Sequence, residues 1–106
     1  MLNCIFRLGE FENEKVFSGF EISGHAGYGT EGNDIVCSAV SSCTMLVCNC
    51  ITENFGEEAE VEVEENRISL SFGAKPSEAA VKLISAFYEH LGAISEDYRN
   101  VRLTII

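Results

Sequence analysis

"EAEVEVEENRISLSF", residues 58–72, alternates with a period of two in both halves. Ala59, Val61 and Val63 fall on one side and Glu60, Glu62 and Glu64 on the other; Ile68, Leu70 and Phe72 then repeat the pattern. Successive side chains of a strand point to opposite faces, so the stretch predicts two half-buried strands. Glu65-Asn66 leaves space for a tight hairpin turn between them, and Asn tolerates positive φ. The glutamates form one solvated face, which also offers a docking rim to a basic substrate.

Working outward, Pro76 and Ser77 announce a helix with Ala80, Leu83, Ile84, Phe87 and Leu91 on one face, stopping near Gly92. His90 then sits on the surface near its end, where a helix dipole favours a cation. "VRLTII", residues 101–106, is a last strand with Val101, Leu103 and Ile105 in step. Upstream, Val36, Ala39, Val40, Cys43, Val47, Cys50 and Ile51 recur at helical spacing from about Asp34 to Asn54, with Asp34 as N-cap. Residues 24–33 hold Gly24, Gly27, Gly29 and Gly32 and predict a flexible loop. "LNCIFRLG" and "KVFSGFEISG" read as strands, with Leu2, Cys4, Phe6 and Leu8 on one face of the first, and Val16, Ser18, Phe20 and Ile22 on one face of the second. The order is β-β-α-β-β-α-β. It predicts one α+β domain over residues 1–106, a mixed sheet with two helices packed on it.

Seven basic residues against 17 acidic ones give a formal charge of −10. Such a chain repels phosphate backbones, so direct nucleic-acid binding is not expected; a basic partner is favoured instead. "MLNCIFRLGEFENEK" lacks the basic start and apolar core of a leader. Ile35–Thr52 is uncharged, but its serines, threonine and asparagine and its acidic flanks point to a buried helix and not to a membrane span. Five cysteines, an odd number without a leader, argue against a disulfide framework and for a reducing, cytoplasmic setting. Cys43, Cys48 and Cys50 form no Cys-x-x-Cys pair, so no metal is expected; with Cys4 they read as small core residues.

Cys37 is different in position. With Asp34 as cap it is the third residue of a helix, where unpaired N–H groups and the dipole stabilise a thiolate, the form that attacks carbonyls. His25 lies twelve residues earlier in the glycine-rich loop. Folded back, its imidazole would share the thiol proton and later protonate a leaving amine, while N–H groups of the helix start bind an oxyanion. Cysteine and histidine so spaced are also found together by accident, with the cysteine an inert core residue.

"GHAGYGTEGNDIVCSAVS", residues 24–41, resembles the signature of the ribosomal-processing cysteine proteases, the Prp family. That pattern is Gly-His-Ala, a short glycine-bearing loop, then Asp-Ile-Val-Cys with small residues and a serine. Gly24, His25, Ala26, Gly32, Asp34, Ile35, Val36, Cys37, Ala39, Val40 and Ser41 match it, and Ser38 stands where alanine is common. Length and element order fit over essentially the whole chain. The resemblance implies that Cys37 is the nucleophile, that His25 is its general base and acid, and that Asp34 orients the imidazole, caps the helix, or does both. Gly24, Ala26, Gly27 and Gly29 would let the loop accommodate peptide; Ser41 lines the site or permits close packing.

The activity so implied is removal of a short N-terminal extension from bacterial large-subunit ribosomal protein twenty-seven, by a homodimer, without a cofactor. The alternative is a non-catalytic dimeric peptide-binding or ribosome assembly factor, in which Cys37 is inert.

Overall fold

The computed structural model describes residues 1–24 and 31–106, and of 31–34 the backbone alone. Its elements are β1 (Leu2–Phe11), β2 (Glu14–Gly24), α1 (Glu31–Asn49), β3 (Ala59–Glu64), β4 (Arg67–Phe72), α2 (Glu78–Asp97) and β5 (Val101–Ile105). The sheet runs β3-β4-β2-β1-β5, antiparallel except for the parallel β1–β5 pair. Both helices lie on one face of it, so the expected α+β domain with a mixed sheet and two packed helices is the one observed.

The covered face is built from alternate residues: Leu2, Cys4 and Phe6 of β1, Phe20 and Ile22 of β2, and Leu70 of β4. From above, α1 contributes Val36, Val40, Val47 and Cys48, the turn after it Ile51, and α2 Ile84, Phe87 and Leu91. The opposite face is polar. There Arg7 donates to Leu70 O and Ser71 Oγ at 3.2 and 2.8 Å, and Arg67 donates to Glu21 Oε1 at 2.7 Å. Burial on one face and charge on the other is what the period-two alternation of these strands dictates.

Local chemistry sets the boundaries. Ser77 Oγ accepts the Ala80 N–H at 3.2 Å, capping α2 where the sequence places its start. The β3–β4 hairpin turns across Glu65–Asn66 as expected, with Glu64 opposite Arg67. Asn66 nevertheless keeps a negative φ. The left-handed pair is Glu12 (φ 50°) and Asn13 (φ 70°), which make the two-residue turn between β1 and β2.

Three expectations are corrected. The register of β1 and β2 shifts between Arg7 and Leu8, where Gly19 and then Phe17 are the partners and Ser18 is skipped. This bulge, in which the Ser18 hydroxyl donates to Arg7 O at 3.3 Å, reverses the phase of β2. Phe17 therefore joins the core in place of Val16 and Ser18, while Leu8, paired with Phe17 near the end of the strand, is left 51% exposed.

Helix α2 does not stop at Gly92 but runs to Asp97, because Ile94 extends the apolar face past the glycine. His90 is thus a mid-helix surface residue and not a terminal one.

On α1, Ala39 is exposed, whereas Thr44 and Cys48 are fully buried. The Thr44 hydroxyl donates to Val40 O at 2.7 Å, so it is not left unpaired inside. The helix closes in a π-helical turn, Cys50–Asn54, with the Phe55 N–H on Cys50 O at 2.8 Å.

By length and composition Ile35–Asn54, with mean hydropathy 1.8, is apolar enough to cross a bilayer. Its apolarity has a use in this fold, since its inner face closes the core against the sheet.

Candidate active site

Helix α1 begins at Glu31, three residues earlier than its sequence suggests. Asp34 therefore lies inside the first turn and is not the N-cap, and Cys37 is the seventh helical residue and not the third. The reason is that Gly32 and Asn33 are carried into the helix although both residue types favour loops and caps. The unpaired N–H groups of the helix start belong to the turn before Cys37, about 5 Å along the axis at 1.5 Å per residue. The Cα–Cβ bonds of a helix tilt toward its N-terminus, so the Cys37 side chain is directed back over that turn.

Cys37 is half-buried and opens on a cleft of about 320 Å³ at one end of the sheet. The cleft is walled by Leu2, Ile22, Met45, Val63 and Ile68, with Ser41 one helical turn beyond the cysteine. Its outer rim is the β3–β4 hairpin, Glu64 to Arg67. Ser41 is exposed and lines the cleft, so of its two sequence readings the close-packing one is set aside. The aliphatic walls were beyond sequence reasoning. Leu2, Met45 and Val63 belong to three different elements, and only the sheet order brings them together.

Gly24 ends β2 beside this cleft with φ +90°, and a Cβ there would collide with the Met1 carbonyl oxygen. Only glycine suits such a position. Its N–H donates to Asn66 O at 2.9 Å, fixing the strand end to the hairpin tip. Gly24 thus has a structural role at the end of the strand. His25, Ala26, Gly27 and Gly29 lie outside the described residues, as does the Asp34 side chain.

The charges of the rim are unevenly matched. Arg67 meets Glu21, Glu62 and Glu64 at 2.7, 3.1 and 3.1 Å, and hydrogen bonds to Glu21 and Glu62 hold its guanidinium further above its ordinary pKa. Glu60, Glu62 and Glu64 are all exposed, as the alternation predicts, but two of the three are occupied by Arg67. Cys4 and Cys48 are buried, whereas Cys43 and Cys50 are half-buried like Cys37. Burial pushes the Cys4 thiol up to about 12 and that of Cys48 to about 11, and raises Cys43 as well. Cys4 and Cys48 are thus protonated core side chains at neutral pH. Among the described residues, no three His, Cys, Asp or Glu side chains converge at a metal-sized site.

A family model described as "Cysteine protease Prp" matches residues 7–101. No curated protein matches the sequence significantly. Among solved structures, the essential ribosomal processing protease Prp from S. aureus, in complex with a substrate peptide, superposes with a TM-score of 0.85 at 20% identity, covering 100% of both chains. The same protease with a covalently linked product peptide gives 0.84 at 21%, again over 100% of both chains. The SMU.848 protein of Streptococcus mutans gives 0.84 at 23%, covering 100% of this chain and 94% of that one.

Proposed function

Because the chain belongs to the Prp family of ribosomal-processing cysteine proteases, we propose that it removes the short N-terminal extension of large-subunit ribosomal protein twenty-seven in the cytoplasm. The observation that carries this reading is the opening of Cys37, alone among the five cysteines, onto an aliphatic cleft with room for peptide side chains. Cys37 Sγ attacks the scissile carbonyl carbon as His25 takes the thiol proton. The C–N bond then breaks with return of that proton to the leaving amine. Water hydrolyses the resulting thioester, releasing the extension as a carboxylic acid and restoring the thiol. Asp34, in the first turn of α1, adds negative charge where the dipole favours it, and it orients His25.

The protein acts as a homodimer. Ile35 and Leu46 are 66% and 63% exposed on the outer face of α1, with Ser38, Ala39 and Ser42 exposed between them. This face carries no charge on a chain of net −10, so it is the place where two copies approach without electrostatic cost. Leu46→Glu is expected to give a monomer in sedimentation equilibrium.

The decisive experiment incubates the protein with the N-terminal extension peptide of the same organism's ribosomal protein and reads the products by mass spectrometry. A single cut, lost in Cys37→Ala and in His25→Ala with folding retained, is the expected result. Cleavage that persists in Cys37→Ala refutes the assignment. Binding without any cleavage by the wild type would identify the assembly factor instead.

A further inference from the structure

The rim of the Cys37 cleft holds three charged side chains among the described residues: Glu64, Glu65 and Arg67. Two of them are spoken for. Arg67 is clasped by Glu21, Glu62 and Glu64, so one positive charge faces three negative ones, and Glu64 is committed to it at 3.1 Å. Glu65 is left over. Exposed at the tip of the hairpin, it has no cation within ion-pair distance among the described residues. Arg67, the nearest basic residue in the sequence, is already saturated.

The tip is also held in place. Its neighbour Asn66 accepts the Gly24 N–H at 2.9 Å, and Glu64 pairs with Arg67 across the hairpin. The Glu65 carboxylate is therefore presented from a pinned turn at the mouth of an otherwise aliphatic cleft. The other hairpin of the sheet shows what an acidic tip becomes without such a role: Glu12 and Glu14 share Lys75 at 2.9 and 3.7 Å, far from the cleft.

We propose that Glu65 is a specificity-determining residue, selecting a peptide with a lysine or arginine close to the scissile bond, next to the apolar side chain that the cleft walls receive. This inference rests on the proteolytic reading of the Cys37 cleft. A cation drawn to Glu65 completes the charge balance that Arg67 leaves in deficit. A carboxylate on the peptide would instead meet Glu64 and Glu65 together. Both partners are exposed to water, so the selection is modest and salt-sensitive.

The test uses the extension peptide in variants carrying Lys, Gln or Glu at each position within three residues of the cut. Cleavage by the wild type, Glu65→Gln and Glu65→Lys is followed by mass spectrometry at low and high salt. At one position the wild type is expected to prefer Lys over Gln by about two- to fivefold in kcat/KM, carried by KM, shrinking at high salt. Glu65→Gln should lose that preference and Glu65→Lys should reverse it toward Glu. Uniform cleavage of all variants by the wild type overturns the inference, as does a preference that survives in Glu65→Gln. An equal fall in kcat for every peptide in Glu65→Gln overturns it too, because it assigns Glu65 to catalysis or folding. Failure of the wild type to cut any peptide is a different result, which removes the proteolytic reading itself.

Discussion

The two ends of the covered sheet face are finished in opposite ways. At the far end from Cys37, Phe6 stacks with Phe17, Phe20, Phe87 and Tyr88 at ring-centroid distances of 5.2–5.7 Å, two of the contacts edge-on. At the near end, the same strand β1 offers Leu2 to a cleft that aliphatic side chains line but do not fill. Interiors are close-packed as a rule, and the aromatic end obeys it. An end left open in so small a domain forgoes contacts that its own residues would otherwise make. On the proposed function, one end serves stability and the other ligand binding, and that division can be attacked directly.

The largest effect is expected at the filled end. Phe6→Ala removes the hub of the ring cluster from a fully buried site and should cost about 3–5 kcal/mol in urea unfolding, the usual range for such truncations. Peptide affinity of the folded fraction should not change. A loss of affinity at full folding would show that the two ends are coupled and break the division.

Comparable in size, but read through pH, is an effect of the buried thiols. Cys4 and Cys48 have pKa values raised from 9.0 to about 12 and about 11. The folded state thus retains protons that the unfolded chain releases, and the stability so gained is complete below pH 9.0 and lost as pH rises through the raised values. Between pH 9.0 and about 11 the unfolding free energy should fall by about 1.4 kcal/mol per pH unit for each thiol. Cys48→Ala should reduce that slope by one thiol's share. Over the same range iodoacetamide should label the native protein at Cys37 well ahead of Cys4 and Cys48.

Smaller again is the cap of α2, which serves neither end in particular. Ser77→Ala leaves the Ala80 N–H without its 3.2 Å acceptor and should cost about 1 kcal/mol by thermal melting, with cleavage unaffected.

How much of this was legible follows the range of the interactions. The strands, the β3–β4 hairpin, the Ser77 cap and the shared face of Ala80, Ile84, Phe87 and Leu91 are written in spacings of a few residues, and they are found where those spacings put them. The bulge at Ser18 has no such mark. It exists because Phe17 gains a place against Phe6 and Tyr88, and that contact is known only once the sheet is assembled. The early start of α1 was hidden by Gly32 and Asn33, whose local preferences are overruled in the folded chain. Of the candidate site, Cys37 is singled out by its motif. Its aliphatic walls and the Glu65 rim were not, since they come from residues as distant as Leu2 and Ile68.

The smallest change in stability should accompany a sharp loss of function, and it tests the division from the open end. Val63 is 58% exposed on the edge strand β3 and contributes one wall of the cleft. Val63→Trp suits a strand, where aromatic side chains are favoured, and places a large ring beside a cavity of about 320 Å³. Because no buried neighbour has to move, unfolding free energy should stay within about 0.5 kcal/mol of the wild type, the usual span for surface changes. KM for the extension peptide should rise steeply, because the ring occupies the space that the substrate side chain requires. Phe6→Ala and Val63→Trp would then be mirror images, one losing stability with binding intact and the other losing binding with stability intact. If Val63→Trp binds and cuts the peptide as the wild type does, the cleft is not where the substrate sits, and the openness of that end needs a different cause.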